Sequence, residues 1–222
     1  MVESDGGTRL LLDTPPELRV QLVAARVDRI DAVLFTHDHA DHTHGIDDLR
    51  AFTARARAPL VMYGSAQTMD ALARKFPYIF DDALRPLPGT YKPEGRAQAL
   101  AAGQTVRLGD LDVTPVVVPH GRTEVFGYRI GPLAYVTDAK SVPASAIAML
   151  RGADVLVVNA LFRDPHPTHL SIPEAIAVAR QVGARRTYLT HLTHAYGHAE
   201  LEATLPPDVR VAYDGLEVTI DE

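Results

Sequence analysis

The chain has 222 residues, 46% of them hydrophobic, enough to bury a sizeable core in one large domain of mixed helix and strand. Its 22 basic and 28 acidic residues give a formal charge of −6 with no basic face of the kind that nucleic-acid binding requires. Cysteine is absent, which excludes disulfides and thiolate metal sites, and no apolar run approaches the ~18 residues of a membrane span.

The start Met1-Val2-Glu3-Ser4-Asp5 has no basic stretch followed by an apolar one, so a cytoplasmic protein without a membrane partner is expected. Thr8 to Asp13 reads as a strand, and Thr14-Pro15-Pro16-Glu17 as a capping box that opens a helix to about Val27. A strand from Ala32 to Thr36 follows, then a helix from Gly45 that turns Ile46, Leu49 and Thr53 or Ala56 inward. Leu60 to Tyr63 is a short strand, and Ser65 caps a helix whose stripe is Met69, Leu72 and Phe76. Prolines and glycines from Asp81 to Gly95 break all periodicity and predict a loop suited to a lid. Thr105 to Leu108 and Leu111 to Val118 form a hairpin running into Pro119-His120, and Val125 to Ile130 with Leu133 to Thr137 form another that leads into Asp138. A helix from about Pro143 stops at Gly152, and Val155 to Val158 is a buried strand. Ser171-Ile172-Pro173-Glu174 is a capping box whose helix ends at Gly183, and a strand from Arg186 to Thr190 leads into His191. The tail predicts a helix near Ala199 to Leu205 and a closing hairpin of Val209 to Tyr213 and Leu216 to Ile220.

Residues 37 to 44 read His-Asp-His-Ala-Asp-His-Thr-His, four histidines and two aspartates in eight positions. Imidazole and carboxylate are the donors that borderline divalent ions such as zinc accept at about 2.0–2.2 Å. His37, His120, Asp138 and His191 each follow directly on a predicted strand, and strand ends are where a sheet gathers residues distant in sequence.

The run written Thr-His-x-His-x-Asp-His resembles the signature of the metallo-β-lactamase superfamily, and His120, the strand-terminal Asp138 and Leu189-Thr190-His191 look like its later ligand motifs. Gly45-Ile46-Asp47-Asp48-Leu49-Arg50, with Pro167-Thr168-His169-Leu170-Ser171 and Thr190-His191-Leu192-Thr193-His194, is most similar to the PhnP-like branch of phosphoribosyl cyclic phosphodiesterases. The resemblance implies an α+β, four-layer αββα sandwich and two divalent ions, zinc or manganese. One ion would be held by His37, His39, His120 and Asp138, the other by Asp41, His42, Asp138 and His191. Activated water at the ions would attack the phosphorus of a small cyclic phosphodiester of a ribose phosphate or nucleotide. The expected catalytic residues are His169 and Asp41. A ribose alkoxide leaves poorly, so a general acid would contribute roughly 10²- to 10⁴-fold. His169 lies 22 residues before His191 (191 minus 169), a spacing similar to that in this branch and in transfer-RNA processing nucleases. His166 is the rival for the same role, and His169 could instead hydrogen-bond the helix start at Ser171. His194, His166 and Arg50 are the candidate substrate contacts, whereas His44 and His198 could orient ligands or lie at the surface. Relatives in this branch usually begin with a further strand, a glycine-rich turn and often a cysteine-containing metal loop before the position of Val2, so a fold lacking its first N-terminal strand is expected.

The competing readings are an RNA-processing nuclease, a thioester, lactone or β-lactam hydrolase, and a non-catalytic accessory protein of cofactor biosynthesis. The first lacks a basic arm here, and the last would show an incomplete ligand set, whereas all seven ligand positions carry competent residues. A small phosphate ester is the expected partner, and a homodimer is compatible with the sequence.

Overall fold

The computed structural model describes residues 1–220, and its backbone divides into two compact units, residues 1–101 with 108–110, and residues 102–107 with 111 onward.

The first unit runs β1 (Val2–Glu3), β2 (Arg9–Leu12), α1 (Leu18–Ala24), β3 (Ala32–Leu34), α2 (Ala40–Thr43), a 3₁₀ turn (Ile46–Leu49), α3 (Arg50–Ala56), β4 (Leu60–Gly64), α4 (Ala66–Lys75), α5 (Pro77–Phe80) and β5 (Gly95–Ala99). Its five strands lie in the order β1-β2-β3-β4-β5, with β1 antiparallel to β2 and every later pair parallel. Ala32, Val33 and Leu34 are all buried, the continuous apolar run of a parallel strand covered on both faces. Leu18 and Leu22 of α1, Ile46 and Leu49 of the 3₁₀ turn and Met69 and Leu72 of α4 close one core over Leu11, Val33 and Met62. Each such buried side chain contributes about 1.5–3 kcal/mol of apolar transfer. The Ser65 hydroxyl accepts the Thr68 N–H at 3.1 Å and starts α4 where expected.

The second unit runs β6 (Val106–Leu108), β7 (Leu111–His120), β8 (Thr123–Ile130), β9 (Leu133–Val136), α6 (Ala144–Leu150), β10 (Val155–Asn159), α7 (Ile172–Val182), β11 (Arg186–Thr190), α8 (His198–Glu202) and β12 (Val209–Val211). Its sheet has the order β12-β11-β10-β9-β8-β7-β6, antiparallel from β7 to β9 and parallel from β9 to β12. Ala146, Ile147 and Leu150 of α6 and Ala175, Val178 and Val182 of α7 pack over Val136, Leu156 and Leu189. The capping box of α7 forms: Ser171 Oγ accepts the Glu174 N–H at 3.4 Å, and Glu174 Oε2 accepts the Ser171 N–H at 2.7 Å. Gly183, at φ 74°, ends the helix in the left-handed conformation that glycine adopts without steric cost.

Three expectations are corrected. Thr14 caps no helix, because α1 starts four residues later behind Glu17, and the Thr14 hydroxyl instead donates to the Thr43 carbonyl at 3.2 Å. The helix after Gly45 begins as a 3₁₀ turn, and Ala56 faces solvent while Thr53 is buried. No closing hairpin forms, since β12 pairs in parallel with β11 and residues 216–220 form no strand. Residues 81–94 form neither helix nor strand, as expected of a loop. No helix among the described residues is long and apolar enough to cross a membrane.

Candidate metal centre

In the first unit, β3 delivers Phe35, Thr36 and His37 to the carboxyl end of a parallel strand, the edge where open α/β sheets gather ligands. His39 precedes α2, whose single turn carries Asp41 and His42. The His37 ring lies 4.4 Å from that of His39 and 4.3 Å from that of His42, and His42 Nε2 is 3.4 Å from Asp41 Oδ2. Beneath this loop sits Asp13, only 4% exposed, at the end of β2. Its Oδ1 accepts the Thr36 N–H at 2.7 Å, and its Oδ2 accepts the Thr36 hydroxyl at 2.8 Å and His42 Nδ1 at 2.8 Å.

Those bonds set ring tautomers. Thr36 spends its hydroxyl proton on Asp13, so at 3.0 Å from His37 Nδ1 it accepts a proton from that ring. His37 and His42 therefore both carry hydrogen on Nδ1 and present Nε2 as a ligand atom, the arrangement by which outer carboxylates and hydroxyls orient metal-binding histidines.

In the second unit, β7 ends at His120, whose Nδ1 donates to the Thr168 carbonyl at 3.0 Å and so leaves Nε2 as the ring atom able to bind a metal. Asp138 follows β9, is 2% exposed, and accepts the Thr137 hydroxyl at 2.6 Å on Oδ1. His191 follows β11 with its Nε2 3.3 Å from Asp138 Oδ1, while His120 Nε2 is 3.9 Å from Asp138 Oδ2. The two oxygens of this carboxylate thus face different histidines. Nitrogen and carboxylate donors with their outer hydrogen bonds in place fit a borderline divalent ion. Asp13, Asp138 and His191 all take positive φ, 56°, 58° and 55°, a conformation that costs a non-glycine residue about 1–2 kcal/mol.

His169 Nε2 stands 3.4 Å from Asp138 Oδ2, its ring stacked at 4.8 Å on His191 and set edge-on at 4.9 Å to His120. It does not hydrogen-bond the start of α7, where Ser171 is the N-cap and Glu174 accepts the Ser171 N–H. His166 lies behind it, Nδ1 to Nδ1 at 3.3 Å. Arg50 is paired to Asp47 and lines a cleft of about 580 Å³ with Arg19, Leu22, Val23, Phe52 and Arg55, a lining that includes no proposed ligand. Asp47 also accepts the Tyr78 hydroxyl at 3.1 Å; burial first, and this aspartate second, push that phenol up to about 12. His194 is exposed in the turn after β11. His44 packs on Phe76, and His198 on Tyr213. Asp38 pairs with Lys75 at 2.6 Å, and Lys140 pairs with Glu174 at 2.9 Å.

Sequence reasoning missed Asp13, Thr36, Asn159 and Thr168 as supports. Asn159 is fully buried, its Oδ1 accepting the Ala139 N–H at 2.8 Å and its Nδ2 donating to the Ala139 carbonyl at 3.0 Å, which braces the turn holding Asp138. The signal was available: Asp13 and Asn159 are polar residues at strand ends, the same cue that identified His120 and His191.

The β-lactamase superfamily domain model matches residues 8–192. A protein of Porphyromonas gingivalis called octanoyltransferase is 37% identical over 224 residues, all of this chain, which spans 44% of that relative's length. Ribonuclease Z of Bradyrhizobium sp. (strain ORS 278) is 28% identical over 97% of this chain and 91% of its own length. A crystallised diphosphatase of the PhnP family superposes with a TM-score of 0.87 at 34% identity, covering 99% of this chain and 82% of the other. With strand-end histidines and aspartates in both units and likeness along its length to such proteins, the chain belongs to the metallo-β-lactamase superfamily of hydrolases, alongside its PhnP-family members.

Proposed function

We propose that the two units are halves of one hydrolase domain spanning residues 1–222, which cleaves a small phosphodiester or phosphoanhydride of a ribose phosphate or nucleotide. In this reading His37, His39, His120 and Asp138 hold one divalent ion, and Asp41, His42, Asp138 and His191 hold a second. Zinc or manganese suits this nitrogen and oxygen set. When bound, two such ions supply Lewis-acid activation of water and neutralise charge on the phosphoryl oxygens. In this reading Asp41, the exposed carboxylate of its set, would take a proton from the attacking water, and His169 would give one from Nε2 to the departing oxygen.

The observation that carries the reading is His169, a histidine outside both ligand sets whose Nε2 nevertheless points at Asp138 from 3.4 Å. A carbonyl substrate has less need of such an acid than a ribose alkoxide does. The names of two similar proteins, a diphosphatase and a ribonuclease, point the same way. The formal charge of −6 favours a small ester over a long polyanion.

The test uses zinc- or manganese-loaded protein with a cyclic ribose phosphate, a nucleoside diphosphate, bis-p-nitrophenyl phosphate and an octanoyl thioester, the last because of the name of the Porphyromonas relative. Hydrolysis of the phosphorus substrates, lost in Asp138→Ala, is the expected result. Turnover of the thioester alone, or phosphate turnover intact in Asp138→Ala, would overturn it.

A further inference from the structure

We propose that Thr168 and His166 are positioning residues that keep a standing proton on Nδ1 of His169, so that the proton it exchanges with substrate is the one on Nε2. This rests on the reading of His169 as the acid. The backbone N–H of Thr168, which can only donate, lies 3.4 Å from His166 Nδ1, making that nitrogen an acceptor. The Thr168 hydroxyl stands 3.2 Å from the same nitrogen and 2.8 Å from His169 Nδ1. If the hydroxyl gave its one proton to His169, its oxygen would meet the lone pair of His166, and the two Nδ1 lone pairs would oppose each other at 3.3 Å. The contacts made through Nδ1 are met when His169 Nδ1–H donates to Thr168 Oγ1 and Thr168 O–H donates to His166 Nδ1, and the contact of His169 Nε2 with Asp138 Oδ2 is met as well when the ring also carries the Nε2 proton it would give up. His166 is thereby a neutral acceptor, and burial first, with the neighbouring His169 second, holds its imidazole below the ordinary value. With Nδ1 committed, His169 gains and loses its proton at Nε2, the atom that faces Asp138.

The surroundings hold this chain in place. Phe162 packs against the His166 ring at 5.7 Å. Gly121, at φ 59°, gives Thr168 its room, since a Cβ there would come within 2.9 Å of the threonine methyl. The Thr168 carbonyl meanwhile accepts from His120 Nδ1, so one residue orients a proposed ligand through its backbone and the proposed acid through its side chain. A side-chain substitution at 168 removes the second role and leaves the first.

The experiment pairs ¹⁵N NMR of the histidine rings in zinc-loaded protein with turnover of a cyclic ribose phosphate and of bis-p-nitrophenyl phosphate. The unsubstituted protein should show His169 protonated on Nδ1 in its neutral form. In Thr168→Val that signature should shift toward the Nε2–H tautomer, and kcat on the ribose ester should fall roughly 10- to 100-fold, part of the range a general acid supplies. KM, bound zinc and turnover of the activated ester should stay within about threefold. Thr168→Ser should restore both the tautomer and kcat, and His166→Phe should reproduce the valine variant. An unchanged His169 tautomer in Thr168→Val, equal losses on the two esters, or loss of zinc would each overturn the proposal. If neither ester is turned over by the unsubstituted protein, the phosphodiester reading fails on its own, and the tautomer still decides the relay.

Discussion

Asp13→Asn changes one oxygen to an NH₂ group and should reset two histidines at once. Its left-handed backbone at φ 56° is one that asparagine tolerates, so the substitution isolates the chemistry of the side chain. The amide oxygen must stay on the Thr36 N–H at 2.7 Å, because the reversed amide would set two donors against each other. The NH₂ then occupies the position of Oδ2, where it donates to His42 Nδ1 and to the Thr36 hydroxyl oxygen, both now 2.8 Å from a donor. His42 is forced to carry its proton on Nε2, and the released Thr36 hydroxyl turns to donate to His37 Nδ1, with the same result there. Three charge-assisted bonds become neutral ones, costing about 3 kcal/mol in all and hence about 6–12 °C in Tm for a chain of this size. Each misassigned ring should weaken metal affinity by about 10- to 100-fold. Thermal unfolding in chelator reads the first quantity, and competition for zinc against a coloured chelator reads the second. Undiminished zinc affinity in Asp13→Asn would refute the tautomer argument even if Tm fell.

Gly45→Ala should destabilise by about 1–3 kcal/mol, because its Cβ would lie 2.0 Å from the Pro15 carbonyl oxygen, a backbone atom that cannot swing aside; thermal unfolding checks this. Asn159→Leu leaves the Ala139 N–H buried without its acceptor, while the Ala139 carbonyl keeps the Leu170 N–H, and should cost about 1–3 kcal/mol with weaker metal binding, read by denaturant titration and metal competition. The Glu174 carboxyl is held below its usual range, first by the Ser171 N–H and then by Lys140. Its contribution is therefore full above an unfolded pKa of about 4.3 and is lost as pH falls through the lower folded value, so Glu174→Gln should flatten the acid limb of stability against pH. An acid limb with the slope of the unsubstituted protein would exclude Glu174 from it.

Most strands were legible because parallel strands such as β3 and β10 are apolar runs bounded by turn residues, and because their ends carry unmistakable donors. The capping boxes show where local pattern stops being decisive. Ser171-x-x-Glu174 forms as read, whereas Thr14-x-x-Glu17 does not, because Thr14 is drawn to the carbonyls behind the ligand loop by contacts 28 and 29 residues away. The tail misled for a related reason: Asp214-Gly215 is a sound turn signal, yet Val209–Val211 finds a parallel partner in β11 and needs no hairpin. Thr168 was invisible as a support because its role depends on which ring nitrogens it meets, whereas Asp13 stands at a strand end and carried a readable cue.

The left-handed backbone at Asp138 and His191 bears on how this protein responds to selection. Asparagine or glycine at either position would relax a conformation that costs about 1–2 kcal/mol, and at 138 would also remove a buried carboxylate. A search for heat-resistant variants run without metal would therefore enrich replacements at the residues proposed to do the chemistry. Retention of Asp138 and His191 in variants selected with metal present would then serve as a record of what the fold gives up in order to work.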